Sequence, residues 1–186
     1  MKINYLHMKT NNTISFLIFL WMGMNISDGM ASPYDPVDWE SFVTVDLGTK
    51  TNSFSFSDTK NTADYSDKYC CPEIDFDSKD VVFKFKIDKP MDIIVSHCGS
   101  VLHDTYVCLV NESGACVAHN DDKDSAYPDA GCSNDYQAYI KVMNLPKGTY
   151  YVLSEGNGTS GYITTNIQGI VPGVRHDIGT DRKSVV

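Results

Sequence analysis

Short runs that alternate apolar and polar side chains recur along this chain, and turn-forming residues separate them. The clearest run, residues 81–87 (VVFKFKI), is followed by Asp88-Lys89-Pro90. A period of two predicts a half-buried β-strand, because successive side chains of a strand point to opposite faces. The Asp-Lys-Pro sequence after the run predicts a turn.

The complete set of runs predicts an all-β protein with eight or nine short strands. The candidate strands are residues 42–47, 53–57, 81–87, 91–97, 106–110, 115–118, 136–142, 150–155 and 162–167. No stretch of the sequence carries the 3.6-residue period of an amphipathic helix. We therefore predict a two-sheet antiparallel β-sandwich of the jelly-roll type.

The first 31 residues have the organisation of an export signal. A weakly basic start with Lys2 and Lys9 precedes the apolar residues 14–24, and Ala31 ends a stretch of small residues. An apolar run of about 11 residues is too short to cross a bilayer as a helix. We expect residues 1–31 to be a signal peptide and the protein to be secreted or displayed at the cell surface, with no membrane attachment after cleavage. A retained membrane anchor is the alternative.

The remaining chain predicts one domain with short flanking segments. Residues 32–40 (SPYDPVDWE) have the composition of a linker, and residues 41–169 contain all the candidate strands. Residues 170–186 are interpreted as a free tail or as the truncated start of a further region. The formal net charge of −9 argues against a nucleic-acid partner, because phosphate binding needs a basic face.

Six cysteines in an exported chain most often form disulfides. A zinc site would need paired Cys-x-x-Cys or Cys/His sets, which this sequence lacks. We favour a bond between Cys98 and Cys132, which would tie the strand before residues 104–122 to the segment after them. Cys70, Cys71, Cys108 and Cys116 stay unassigned.

Residues 104–122 predict a hairpin, since two apolar runs flank the turn Asn-Glu-Ser-Gly. A four-residue turn places Cys108 and Cys116 on opposite faces, whereas a three-residue loop places Cys116 opposite Val110. In either register, a direct bond between these two cysteines needs a bulge.

The outer ends of this hairpin carry carboxylate and amide oxygens that return to one edge of the sheet. These candidate metal ligands are Asp104, Asn120, Asp121, Asp122 and Asp124. Calcium takes six to eight oxygen ligands of this kind, so the group is a candidate calcium site. The loop is not an EF-hand, because Ser125 stands at the glycine position. The alternative is that these side chains cap backbone N–H groups of their own loop.

Tyrosines form a second candidate site, for a glycan or a protein. Tyr127 and Tyr136 flank Cys132, and Tyr139 lies in a late candidate strand. Outward-facing tyrosines stack on sugar rings or anchor protein partners. Their alternative role is to complete the edge of the core.

Several motifs occur in the order typical of a known bacterial family. They are Asp104-Thr105, the turn at Gly114, residues 120–122, residues 145–152 (LPKGTYYV) and Gly161-Tyr162. Over residues 41–169 the chain resembles the pre-peptidase C-terminal domain, a β-sandwich appended to secreted proteins. Cys98, Cys132 and residues 161–167 are similar to a subgroup near the N-terminus of large exported proteins, some with Rhs/YD repeats.

The resemblance implies a non-catalytic accessory role in secretion, in surface display, or in binding an extracellular glycan or protein. A cysteine nucleophile at Cys98 is disfavoured, because adjacent His97 would point to the opposite face of a strand. The sequence contains neither Gly-x-Ser-x-Gly nor His-Glu-x-x-His. A secreted hydrolase and a purely structural spacer are the two alternative functions.

Overall fold

The computed structural model describes residues 38–67, 78–123 and 131–173. These residues form nine strands in two sheets, which confirms the predicted all-β sandwich. The strands are β1 (Val45–Lys50), β2 (Phe54–Asn61), β3 (Val81–Ile87), β4 (Met91–Ser96), β5 (Thr105–Asn111), β6 (Cys116–Asn120), β7 (Tyr139–Leu145), β8 (Gly148–Gly156) and β9 (Tyr162–Ile170). Short 3-10 helices span Trp39–Phe42 and Thr62–Asp64.

Sheet A has five strands in the order β1-β3-β8-β5-β6, and sheet B has four in the order β2-β9-β4-β7. Neighbouring strands are antiparallel except for β1 and β3, which pair in parallel. This pair departs from the wholly antiparallel sandwich that we predicted. Between β1 and β3 the chain crosses to sheet B as β2, so it re-enters sheet A in its original direction.

The main core lies between the two sheets and uses the alternate residues that the period of two predicted. From β3, the buried side chains of Phe83 and Phe85 face β2. Their ring centroids lie 5.8 Å from Phe56 and 6.1 Å from Phe54, respectively. Burial of these large rings supplies much of the apolar area removed from water.

A second apolar cluster covers the outer face of sheet A. It joins Trp39 to residues of β3, β5 and β8, and Phe42 and Val43 pack against it. The Pro- and Asp-bearing composition of residues 32–40 predicted a linker, but Trp39 is buried against the sheet. Residues 38–43 therefore act as a strap over sheet A.

The predicted bond between Cys98 and Cys132 is confirmed, with their Cα atoms 4.7 Å apart. Cys108 and Cys116 are also disulfide-bonded. In the hairpin, Val110 pairs with Cys116 and Cys108 pairs with His119, with an irregularity between Leu109 and Val110. This register is the one that a three-residue loop predicted. Cys70 and Cys71 lie outside the described residues.

The predicted signal peptide (1–31), most of the predicted linker and residues 174–186 also lie outside the described residues. In the part of the chain that the structure describes, no helix is both long enough and apolar enough to cross a membrane.

Candidate metal centre

Three aspartates converge at one end of sheet A. Asp104 directly precedes β5, and Asp121 and Asp122 directly follow β6, its antiparallel partner. Because Val107 pairs with Asn120, the start of β5 and the end of β6 lie side by side. One carboxylate oxygen from each aspartate lies within 4.8 Å of the others. The hairpin geometry expected from the sequence thus brings three acidic side chains into one cluster.

The loop between β8 and β9 forms a third wall of this cluster through Asn157. Its backbone N–H donates to the Asp104 carbonyl oxygen at 3.3 Å. Its side-chain amide lies 3.4 Å from both carboxylate oxygens of Asp121. The position of Asn157 in this cluster was not predicted, although Asn157-Gly158 is a strong turn signal shortly after a predicted strand.

The cluster is electrostatically uncompensated within the described residues. Burial, and then the nearby Asp104 carboxylate, raise the pKa of both Asp121 and Asp122 above the ordinary range. The Oδ1 atom of Asp104 is buried without a hydrogen-bond partner in the described structure. Carboxylates this close oppose one another's ionisation unless a cation lies between them.

Lys123 follows the cluster in sequence but does not neutralise it. Its ammonium group lies 2.9 Å from Asp135 and donates to the Cys132 carbonyl oxygen at 3.4 Å. Within the described ranges, no lysine, arginine or histidine forms an ion pair with Asp104, Asp121 or Asp122. A bound cation would supply the missing positive charge.

The other two predicted metal ligands are Asn120 and Asp124. The amide of Asn120 donates to the Tyr139 carbonyl oxygen at 2.9 Å and thereby links β6 to β7 across the edge of the sandwich. Asp124 lies outside the described residues. The cluster thus holds Asp104, Asp121 and Asp122, with Asn157 as an added neighbour.

The capping alternative can be compared with a cap in the same hairpin. Asn111 Oδ1 accepts the backbone N–H groups of Ser113 and Ala115 and so closes the β5–β6 turn. Among the hydrogen bonds of the described residues, the carboxylates of Asp104, Asp121 and Asp122 accept no backbone N–H. Within the described residues, these three carboxylates therefore do not cap backbone N–H groups of their loop.

The two predicted ligand-binding tyrosines that the structure describes, Tyr136 and Tyr139, lie in different places. Tyr136 borders the metal centre, because its carbonyl oxygen accepts the N–H of Thr105 at 3.1 Å. Its ring is 51% exposed and lies 4.9 Å from the His103 ring. Tyr139 lies in β7 of sheet B, and Tyr127 is outside the described residues.

The structure removes the reactive groups that a Cys/His enzyme at Cys98 would need. Cys98 is in a disulfide, and the adjacent His97 is completely buried. Burial lowers the pKa of His97 to about 3, and its Nε2 atom lies 2.9 Å from Ser154 Oγ. A histidine enclosed in this way cannot exchange protons with a substrate.

No family model and no curated protein matches the chain. The chain matches several solved structures at low sequence identity. The pre-peptidase C-terminal domain of collagenase from Bacillus anthracis is 14% identical, covering 67% of this chain and 95% of that one, with a TM-score of 0.40. A periplasmic inhibitor of g-type lysozyme from Aeromonas hydrophila is 7% identical, covering 69% and 96%, with a TM-score of 0.36. A mitogen from Yersinia pseudotuberculosis is 12% identical, covering 69% and 93%, with a TM-score of 0.33. At these values the similarities assign no function to the chain.

Proposed function

We propose that this chain is a non-catalytic accessory module of an exported protein, and that Asp104, Asp121 and Asp122 bind calcium in it. The observation that carries the proposal is the uncompensated group of three carboxylates within 4.8 Å at one end of sheet A. Calcium suits this group because it takes hard oxygen ligands in flexible geometry.

Calcium at this position would act on stability. The three aspartates come from the start of β5 and the end of β6, and Asn157 connects them to the β8–β9 loop. A cation among them would join these segments and relieve the repulsion between their charges. Because the unfolded chain does not hold the three carboxylates together, binding would favour the native state.

The accessory role is the binding of an extracellular glycan or protein. Tyr136 supports this role, since this half-exposed residue packs its ring on His103 and its backbone bonds Thr105, the neighbour of Asp104. Tyrosine presents a large amphipathic surface at low entropic cost, which suits both kinds of ligand. The disulfides support function in an oxidising compartment outside the cytoplasm.

Thermal unfolding with calcium and with chelator tests the metal proposal. We expect calcium to raise the melting temperature by several degrees and magnesium to raise it less. The double variant Asp121→Asn with Asp122→Asn should lose the calcium response. Asp64→Asn with Asp88→Asn makes the same charge change at exposed positions outside the cluster and should keep it. A calcium response that both double variants retain would refute this site.

A further inference from the structure

Within the described residues, the outer face of sheet B differs from that of sheet A because it is polar and exposed along β2, although Ile94 and the 44% exposed Ile170 add apolar side chains towards β4. On sheet A, the strap of residues 38–43 packs over an apolar face. On sheet B, the outward positions of the paired strands β2 and β9 carry hydroxyl and amide groups. These residues are Ser55, Ser57, Thr59, Thr164, Asn166 and Gln168. On β2, the three side chains are exposed.

Cross-strand pairing arranges these groups in rows. Ser57 pairs with Asn166, Asn166 pairs with Ser96 on β4, and Ser96 pairs with Tyr139 on β7. A parallel row starts with Ser55 and Gln168 and continues to Ile94 and Lys141. Adjacent strands lie about 4.8 Å apart, so each row crosses about 14 Å of the sheet.

Hydrogen bonds hold much of this array in place before any ligand arrives. Ser57 Oγ donates to Asn166 Oδ1 at 2.8 Å, and the hydroxyl groups of Thr59 and Thr164 lie 2.9 Å apart. The Asn166 amide also donates to the Cys98 carbonyl oxygen at 3.1 Å. A ligand that binds such fixed groups loses less conformational entropy than one that must order them.

The charge of the face restricts the kind of ligand that it fits. The whole chain carries a formal charge of −9. Along the paired outward positions of sheet B, one acidic and one basic residue, Asp92 and Lys141, offset each other. Asp92 is already engaged, because it accepts the N–H of Asn144 at 2.7 Å. A neutral polyhydroxyl ligand complements this surface better than a cationic or an anionic one.

Tyrosines stand at two borders of the polar array. Tyr139 ends one row at the β7 edge, and Tyr162 begins β9 opposite Asn61. The Tyr162 side chain is 53% exposed. Amphipathic rings beside hydroxyl and amide groups offer a sugar chain both ring stacking and hydrogen bonds.

We propose that the outer face of sheet B binds a neutral glycan chain. Ser55, Ser57 and Gln168 bond its hydroxyl groups, and Tyr162 packs against the apolar face of a sugar ring. This inference gives a ligand class to the accessory role proposed above. It does not depend on the calcium site, which lies among the loops at the end of sheet A.

Affinity electrophoresis of the full chain in native gels tests the proposal. The gels contain either a neutral polysaccharide (dextran, laminarin, xyloglucan, galactomannan or arabinoxylan) or an anionic one (alginate or polygalacturonate). We expect retardation by at least one neutral polymer and none by the anionic polymers. If no neutral polymer retards the protein, or if anionic polymers retard it equally, the proposal is wrong.

Two matched double variants locate the binding surface. Ser55→Asp with Gln168→Glu places two negative charges on the face and should weaken binding roughly tenfold or more. Thr51→Asp with Asn52→Asp adds the same charge in the exposed β1–β2 turn and should bind like the parent. Equal weakening in both variants would show a general charge effect and overturn the assignment.

A third comparison separates this proposal from the calcium proposal. Asp121→Asn with Asp122→Asn, assayed in chelator, should still bind the neutral polymer. If that variant loses glycan binding while Ser55→Asp with Gln168→Glu binds fully, the ligand binds at the calcium site instead. If calcium does not raise the melting temperature but the protein still binds the glycan, only the metal site is refuted.

Discussion

Trp39 stacks on Tyr151 over the outer face of sheet A, with ring centroids 5.6 Å apart and planes inclined by 29°. The next residue, Glu40, accepts the Tyr151 hydroxyl at 3.0 Å and pairs with the Lys84 ammonium group at 2.6 Å. The hydrogen bond from Lys84 is the main reason that the pKa of Glu40 lies below its ordinary value. One apolar and one polar contact thus fasten the strap to the sheet.

We predict that Trp39→Ala destabilises the domain by about 3 kcal/mol, because it removes a large buried ring and uncovers Tyr151. Glu40→Gln should lower the free energy of unfolding far less, since Glu40 is exposed and its ion pair is screened by water. Chemical denaturation measures both changes. Trp39→Phe keeps an aromatic ring on Tyr151 and should recover part of the loss. A Trp39→Ala protein within about 0.5 kcal/mol of the parent would mean that the strap does not stabilise the fold.

Sequence reasoning predicted the fold well where local chemistry decides it. In β3 and β9, the period of two places one set of side chains in the main core and the other on the outer face of the sheet, and the structure confirms both strands. The turn at Gly114 and the pairing of Cys98 with Cys132 were also correct. In each of these cases, residues close in sequence or a specific covalent partner limit the alternatives.

Sequence reasoning failed where a contact joins segments that are distant in the chain. Nothing in the residues around Trp39 shows that its ring reaches Tyr151, more than 100 residues later. Asn157 reads as an ordinary turn residue until the fold brings it against Asp121. The convergence of Asp104 with Asp121 and Asp122 was predictable, because a single hairpin connects them. The link that the Asn120 amide makes between β6 and β7 also joins segments distant in the chain, and nothing in the residues around Asn120 indicates it.

The disulfide between Cys98 and Cys132 should contribute about 4 kcal/mol to stability, because it closes a segment with a sequence separation of 34 residues. We predict that Cys98→Ala with Cys132→Ala lowers the free energy of unfolding by roughly this amount. Chemical denaturation under oxidising conditions measures the change. Ser133→Ala, an exposed substitution beside the bond, is the control. A double variant as stable as the parent would show that the connection between β4 and residues 131–134 adds nothing to folding.

The buried His97 predicts sensitivity to acid. Burial lowers its pKa from 6.5 to about 3, so the unfolded chain binds a proton in a range where the native protein does not. The stabilising effect is complete above about pH 6.5 and is lost as the pH falls towards 3, by on the order of 4 kcal/mol. His97→Gln should cost stability at neutral pH, because it disturbs the contact with Ser154. It should also flatten the dependence on pH.

Chemical denaturation from about pH 7 to about pH 4 tests this prediction. The parent should lose stability steeply across the range, and His97→Gln should lose much less. His119→Gln, at an exposed position in β6, should retain the parent's steep dependence. If the parent and His97→Gln show the same slope, groups other than His97 cause the acid sensitivity.

When calcium is absent, Asp121 and Asp122 should make stability fall as the pH rises, which is opposite to the effect of His97. Burial and Asp104 raise the pKa of both carboxyl groups, so the native state disfavours their charged forms. Their contribution to stability is therefore fully present below the unfolded pKa and is lost as the pH rises through the native values. In chelator at neutral pH, Asp121→Asn with Asp122→Asn should be more stable than the parent, because asparagine carries no charge.

The difference in free energy of unfolding between this double variant and the parent should shrink as the pH falls and the aspartates take up protons. Comparing the two proteins at each pH cancels the contribution of His97, which both contain. With saturating calcium at neutral pH, the parent should be the more stable of the two proteins, since only the parent binds the ion. Asp64→Asn with Asp88→Asn should show neither effect. If the Asp121→Asn with Asp122→Asn protein is less stable than the parent in chelator at neutral pH, the carboxylates stabilise the loop without a cation. Capping would then explain the acidic cluster better than calcium.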